Sequence, residues 1–471
     1  MRRITFLLCA LLLAGCAGDR PDAPSQARVA APAAWRNSAM SGSQPGPEWW
    51  KTFDDGRLDQ LVEQALANNI DIATASVRVA EARARFRLAR AERLPDVLGA
   101  LAGGRQADVS PFGLPQYQSA GQGDIEVVFD ADLFGRLAEA NAAARSELLA
   151  TQAAQATVQL AVAASTASAY INLSAARAKL EILRATLNAR SESLKYASSR
   201  VQAGYAPQLD LRQAESEYHA TEQLIPATKL AISQLEDGLS ILLGEAPDDI
   251  AAGEPLKDIQ VPSVPATLPS ALLRQRPDII AAEEQVVAAD HSLDSARAAF
   301  MPDVELSASG GYAASSIIPA PVKIFQLGGS ILAPIFESGR LHAQQDVAVA
   351  KRDEAAYAYR KAVLTAFREV DDGLAAQTRL QQEEQSIAAQ RDALSKSLVL
   401  ATNRYRAGYS SYLEQIDAER SLQGADLQLI EVHAQRLVQT VSLYQALGGG
   451  WVASDHFERA ASDIGPPTAR R

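Results

Sequence analysis

Glu414 and Asp417 stand three positions apart in the stretch Tyr412-Leu413-Glu414-Gln415-Ile416-Asp417-Ala418-Glu419, a spacing that puts both carboxylates on one face of a helix. Gathered carboxylates oppose one another's ionisation, and protonation or a bound divalent cation relieves that repulsion. Two plainer readings compete. Ser411-x-x-Glu414 spells a capping box, which alone would account for the glutamate, and a pair of acids on a helix is commonly a solvated face. The remaining polar residues give catalysis no support. His219, His291, His342, His433 and His456 are scattered without metal-ligand spacing. There is no Walker A sequence, and Gly121-Gln122-Gly123-Asp124-Ile125-Glu126 lacks the last glycine of a dinucleotide fingerprint and precedes a strand. No cofactor is called for. The net charge of −11 argues against a nucleic-acid partner, which needs clustered Lys and Arg.

Of the two cysteines, Cys9 lies within an apolar run from Ile4 to Ala14 that follows Arg2 and Arg3, and Cys16 closes the sequence Leu13-Ala14-Gly15-Cys16. The run is too short to span a bilayer and fits an export signal. It resembles a bacterial lipoprotein signal, the alternative being an ordinary secretory signal with a coincidental Cys16. The resemblance implies cleavage before Cys16 and acylation of its thiol and amine, and several acyl chains give stable anchoring where one does not. Ala17, in place of aspartate, implies the outer membrane. With Cys9 removed, no internal disulfide is possible.

The elements around these residues occur twice. Arg200 to Tyr205 reads RVQAGY and Arg404 to Tyr409 reads RYRAGY, a spacing of 204 (404 minus 200) that also relates Gly135-Arg136-Leu137 to Gly339-Arg340-Leu341. Upstream, Pro95-Asp96-Val97 and Gly103-Gly104 return as Pro302-Asp303-Val304 and Gly310-Gly311 at a spacing of 207 (302 minus 95), so a loop differs in length while the elements stay in step. In the first copy, residues 58–93 read as one helix ended by Pro95. Residues 97–104 fit a strand, a polar Gly/Pro/Gln loop follows, and 125–133 alternate, with Ile125, Val127, Phe129, Ala131 and Leu133 on one face and Glu126, Asp130 and Asp132 on the other. Residues 137–203 hold no proline or glycine, which allows one helix of roughly 100 Å at 1.5 Å per residue. Gly204 suits a left-handed helix end, and a return helix over 210–243 has Pro226 as its kink. In the second copy the expected helices are 277–299, 339–407 and 413–447, and the strands 304–312 and 324–335; Gly448-Gly449-Gly450 ends the last helix.

Two strands per copy cannot close a membrane barrel, for which about eight is the smallest number, and open edges are not tolerated in lipid. Three chains would supply 12 strands and 12 helical rods. Hydrophobic residues reach 47% and aromatics only 6%, so much of the apolar content is alanine, which suits helices that line a wide tube and touch only laterally.

Trp49-Trp50 followed by Phe53, Asp55, Leu58, Leu61, Ala65-Leu66, Asn69 and Asp71, the doubled Arg-x-x-Ala-Gly-Tyr and the closing Leu447-Gly448-Gly449-Gly450-Trp451 resemble TolC-like outer-membrane efflux proteins, in the OprM/NodT lipoprotein branch. The resemblance runs from Cys16 to Trp451. It implies a mainly α fold with a transmembrane β-barrel portion: a homotrimer with a 12-stranded barrel in the outer membrane and a long α-helical barrel in the periplasm. Residues 1–15 would be the signal peptide, 16–57 a lipid-anchored equatorial arm, 58–243 the first repeat, 244–276 an equatorial linker, 277–447 the second repeat and 448–471 an equatorial tail. The helix reversals, with Arg200, Gly204 and Tyr205 and with Arg404, Gly408 and Tyr409, would meet a periplasmic membrane-fusion adaptor that joins an inner-membrane transporter of the RND type. Leu413, Glu414 and Asp417 would form the narrowest ring of the lumen. Their first-copy counterparts are Leu209, Asp210 and Gln213, and whether Asp210 reaches the lumen is open. The function implied is a passive exit duct of a tripartite efflux pump. An exit duct for type I protein secretion is the neighbouring alternative, and a lipid-anchored coiled-coil scaffold without a pore is the alternative of a different class.

Overall fold

A computed structural model describes residues 21–37, 46–109, 111–263 and 269–451. Cys16, His456 and most of the tail expected over 448–471 lie outside the described residues. Two compact units divide the chain: residues 1–28, 78–152 and 281–361 form the first, and 29–77, 153–280 and 362–471 the second.

The repeat appears as helices α1 (Gly56–Asn68), α2 (Ile70–Ala91), α3 (Arg136–Gln202), α4 (Gln208–Glu222) and α5 (Leu224–Leu242), answered by α6 (Pro269–Gln275), α7 (Pro277–Ala298), α8 (Arg340–Arg406) and α9 (Tyr412–Ala446). Each copy carries a hairpin between its second and third helices: β1 (Asp96–Val109) with β2 (Pro115–Asp130), and β3 (Asp303–Ser315) with β4 (Val322–Leu332). The long helices α3 and α8 have 67 residues each. No described helix is long and apolar enough to cross a membrane.

Four sequence expectations are corrected. The helix expected over 58–93 is two, because Asn69 turns to an extended conformation and its Oδ1 accepts from the Asp71 and Ile72 amides, capping α2. Asp55 caps α1 in the same way through the Arg57 and Leu58 amides. The first return helix breaks at Gln223, one turn ahead of Pro226, because proline has no N–H for the carbonyl four residues back. The linker expected over 244–276 contains α6, a shortened counterpart of α1. Most of the loop expected between the first two strands is strand: Gly103 pairs with Gly121 and Ala107 with Tyr117.

In the first unit the four strands form one antiparallel sheet in the order β1-β2-β3-β4. Directly opposed residues share a face, so the register sorts the whole sheet. Val97, Leu101, Ile125, Val127, Phe129, Leu306, Tyr312, Phe325, Leu327 and Ile331 fall on one side. Asp96, Gln106, Gln122, Asp124, Glu126, Asp130, Glu305, Ser307, Ser309, Gln326 and Ser330 fall on the other; exceptions include Leu98, Val128, Ile324 and Leu332 on this side and Arg105 and Lys323 on the first. The oily side is bare in the protomer, with Leu101 91% and Phe325 83% exposed. The alternation expected over 125–133 thus extends across both hairpins as far as Asp130, where β2 ends.

The second unit has its core where the chain enters the first repeat. Trp49 stacks on Tyr444, ring centroids 5.5 Å apart, and packs edge-on against Phe53. Leu58, Leu61, Tyr170, Ile171, Leu239, Leu243, Leu256 and Leu437 complete the cluster. The Tyr170 hydroxyl donates to Asp55 Oδ2 at 2.6 Å, so the aspartate that caps α1 also ties it to α3. Arg276, in the position of Asn69, pairs with Asp278 and Glu369 at 2.7 Å and donates to the Ala446 carbonyl.

Candidate functional site

Both helix reversals close by one device. Gly204 and Gly408 take φ of +78° and +80°. The Tyr205 amide donates to the Arg200 carbonyl and the Tyr409 amide to the Arg404 carbonyl, six residues closing each loop. Within the protomer a Cβ on either glycine would have no neighbour within 4 Å, so what the turn requires of them is backbone freedom. The tyrosines that follow point outward, Tyr205 78% and Tyr409 81% exposed.

The two arginines of the repeated motif have different partners. Arg200 lies over the Tyr405 ring, 5.3 Å from its centroid, and donates to the Tyr405 and Tyr205 carbonyls at 3.3 Å. It thereby joins α3 to the end of α8. Arg404 instead faces Glu414 across its own turn, Nε to Oε1 3.5 Å, both side chains largely exposed. A pair so open to water contributes at most about 1 kcal/mol.

At the start of α9, Tyr412, Gln415 and Ile416 are buried while Leu413, Glu414 and Asp417 are exposed. The three residues singled out in the sequence therefore share one free side of the helix. The capping box is not formed: Ser411 precedes α9 but its side chain makes no capping hydrogen bond. Glu414 is thus not explained by capping. Asp210, the first-copy counterpart of Glu414, accepts from the Tyr405 hydroxyl at 3.3 Å. Burial, with the charge of Asp210 second, pushes the Tyr405 phenol up to about 12.

A buried ionic network near α9 was not foreseen from the sequence. Glu217 on α4 is buried between Arg190 of α3, at 3.2 Å, and Arg420 of α9, whose Nε donates to it at 3.0 Å. Arg190 also donates to the Glu217 carbonyl at 2.8 Å, to Thr221, and to Gln423 Oε1 at 2.9 Å. Three helices of the two repeats converge on one carboxylate. Close by, burial raises the Glu419 carboxyl, against the donated hydrogen bond of Gln415. Burial likewise raises the Tyr412 phenol. Among the described residues no group of three or more His, Cys, Asp and Glu is placed to hold a metal.

The profile of the outer membrane efflux protein family matches residues 61–245 and 268–449, one segment for each repeat. This chain belongs to the TolC-like outer membrane efflux protein family. The toluene efflux pump outer membrane protein TtgI of Pseudomonas putida is 34% identical over 465 residues, covering 95% of this chain and 98% of that protein. The outer membrane protein OprJ of Pseudomonas aeruginosa is 33% identical, covering 96% and 97%. The open-state structure of the Neisseria gonorrhoeae MtrE outer membrane channel superposes with a TM-score of 0.82 at 28% identity, covering 92% of this chain and 98% of that one.

Membership makes this TolC-like chain an outer-membrane efflux channel of a Gram-negative bacterium that extends into the periplasm. The four-stranded sheet is one third of a 12-stranded barrel closed by three protomers. That closure gives both bare edges of the sheet a partner and turns its oily side to lipid. It also decides between a channel and a scaffold, since a scaffold has no use for a sheet sorted into oily and wet faces.

Proposed function

We propose that this protein is the passive exit duct for small molecules in a tripartite pump, with Leu413, Glu414 and Asp417 as its periplasmic gate. The observation that carries the gate is the free side of α9, where these residues are exposed together while their helical neighbours are buried. Around a threefold axis, two carboxylates per protomer make a ring of like charge. Their mutual repulsion is relieved by protonation or a bound divalent cation. Arg404, facing Glu414, offsets part of that charge from within the protomer.

The reversals bearing Arg200, Gly204, Tyr205, Arg404, Gly408 and Tyr409 are the docking rim for a periplasmic membrane-fusion adaptor, which joins an RND-type inner-membrane transporter. Exposed Tyr205 and Tyr409 supply the kind of aromatic anchor that dominates protein interfaces. Cys16 carries the lipid anchor, and residues 16–57, 244–276 and 448–471 form the equatorial belt. With no energy source of its own, the duct leaves the choice of cargo to the transporter, and relatives named for toluene and solvent efflux point to small molecules.

Conductance in planar bilayers tests the gate. Replacing Glu414 and Asp417 together by alanine raises the resting conductance of the purified trimer; unchanged currents remove these residues from the role. Silent membranes despite incorporated wild-type trimer would instead overturn the duct.

A further inference from the structure

The strand register separates the charges of the sheet by sign. Every carboxylate in the four strands falls on the wet side, and both cations, Arg105 of β1 and Lys323 of β4, fall on the oily side. Neither cation therefore has a carboxylate on its own face of the sheet. Side-chain direction follows from the register alone, so it is unchanged when the edge strands pair with neighbouring protomers.

The two cations occupy the same rung of the two hairpins. Arg105 stands opposite Ser119, and Tyr312 stands opposite Lys323. The repeat spacing of 207 carries Arg105 onto Tyr312 (312 minus 105), and that of 204 carries Ser119 onto Lys323 (323 minus 119). Each cation stands nine residues from the helix end of its strand (105 minus 96 and 332 minus 323). Nine residues rise about 30 Å along a strand, which a tilt of about 40° reduces to about 23 Å, close to the height of about 25 Å of a barrel's apolar band. Between that rung and the helices the oily side carries no charge. Because the helices extend into the periplasm, the rung lies at the outer boundary of the hydrocarbon. A tyrosine accompanies each cation there: Arg105 lies over the Tyr117 ring, 5.6 Å from its centroid, and Tyr312 faces Lys323. Aromatic girdles mark such boundaries. The outer strands of the sheet are β1 and β4, so closure by three protomers lays β4 of each against β1 of the next. Arg105 and Lys323 of the partner subunit thus flank each seam.

A cation at a bilayer boundary also serves simply by reaching water. What favours an anion is the sorting: the lumen side holds all the acids of the strands, and the lipid side, at one level, holds only bases. The outer leaflet of a Gram-negative outer membrane is built of phosphorylated glycolipid. We propose that each seam binds such a glycolipid through its phosphate groups. Phosphate oxygens accept from Arg105 of one protomer and from Lys323 of the next, Tyr117 and Tyr312 pack beside the sugar, and the acyl chains lie along the oily side. A headgroup held from both strands of a seam joins two protomers that otherwise meet there by backbone pairing. The inference rests on the outer-membrane barrel and not on the gate.

Native mass spectrometry of the full-length trimer, purified free of bound lipid, tests it, with bisphosphorylated lipid A and phosphatidylglycerol as probes. Expected is retention of up to one lipid A per protomer, and about tenfold weaker retention of phosphatidylglycerol, which offers one phosphate to two cations. Arg105→Gln and Lys323→Gln each lower lipid A retention about tenfold, the equivalent of one charge-assisted hydrogen bond, while Arg105→Lys keeps most of it. Arg212→Gln, which removes a charge from α4, retains lipid A like wild type. The trimer mass in the same spectra reports folding. Wild-type trimer that retains no lipid A, or holds both lipids equally, overturns the proposal. So do Arg105→Gln and Lys323→Gln that bind like wild type, or Arg212→Gln that binds as weakly as they do. None of these outcomes alters conductance of the wild-type trimer, which tests the duct separately.

Discussion

Glu217 and Arg190 face each other at 3.2 Å with each side chain only 5% exposed. The pair joins the first long helix to its return helix, and Arg420 brings the return helix of the second repeat to the same carboxylate. A buried ion pair gains little over apolar packing, but removing one partner strands the other without water.

Glu217→Ala leaves Arg190 buried and unpaired and destabilises the protein by about 3–5 kcal/mol. Arg420, more than half exposed, regains water and adds little to that cost. The joint replacement Arg190→Met with Glu217→Leu recovers most of the loss. Denaturant unfolding of the detergent-solubilised trimer measures both, and a joint variant as unstable as the single one would show that the charge itself is required.

Alkaline pH loosens the tip through Tyr405. Its pKa is raised from the ordinary 10.0 to about 12, so the folded protein holds this proton more tightly than the unfolded chain. The resulting stability is complete below pH 10 and is lost as pH rises towards about 12. Tyr405→Phe removes this pH dependence together with the hydrogen bond to Asp210, worth about 0.5–1.5 kcal/mol. In a spectrophotometric titration Tyr405 ionises late, with Tyr170, Tyr359 and Tyr412, all raised chiefly by burial. A single tyrosine transition near pH 10 would contradict this.

Glycine to alanine separates the reversals from the closing turn. At Gly204 or Gly408 the change meets open space and costs only the left-handed backbone, about 1–2 kcal/mol. At Gly448, with φ of +89°, a new Cβ also overlaps the Gln275 carbonyl. Gly448→Ala is therefore expected to lower trimer yield severely while Gly204→Ala assembles. Equal yields on size-exclusion chromatography would refute the distinction.

Tyr170→Phe removes the 2.6 Å hydrogen bond to Asp55, at about 1.5–3 kcal/mol for a charged acceptor. Asp55→Ala is worse by about 1 kcal/mol, since the α1 cap goes as well. Thermal melts rank the two, and a milder Asp55→Ala would disprove the double role.

The repeat, both long helices and both glycine turns were legible because duplication marks them all and the absence of proline and glycine marks the first long helix directly. Asn69 was not, since a polar residue inside a helical pattern reads the same whether it caps or faces water. The outer halves of β1 and β2 were hidden by Gly113, Pro115, Gly121 and Gly123, ordinary loop residues that here lie mostly in strand. Glu217 sits in Gln-Ala-Glu-Ser-Glu-Tyr, where nothing separates a buried acid from a solvated one. Spacing alone put Glu414 and Asp417 on one face, but only the missing side-chain hydrogen bond of Ser411 separates Glu414 from a capping box.

The equal span of α3 and α8 works as a ruler. Adding one heptad, about 10 Å, to a single helix would tilt the floor of the tunnel, leaving one set of reversals below the other and the Glu217 junction out of step. A tube of different reach therefore demands paired insertions, one in each repeat, of the same size and at the same height.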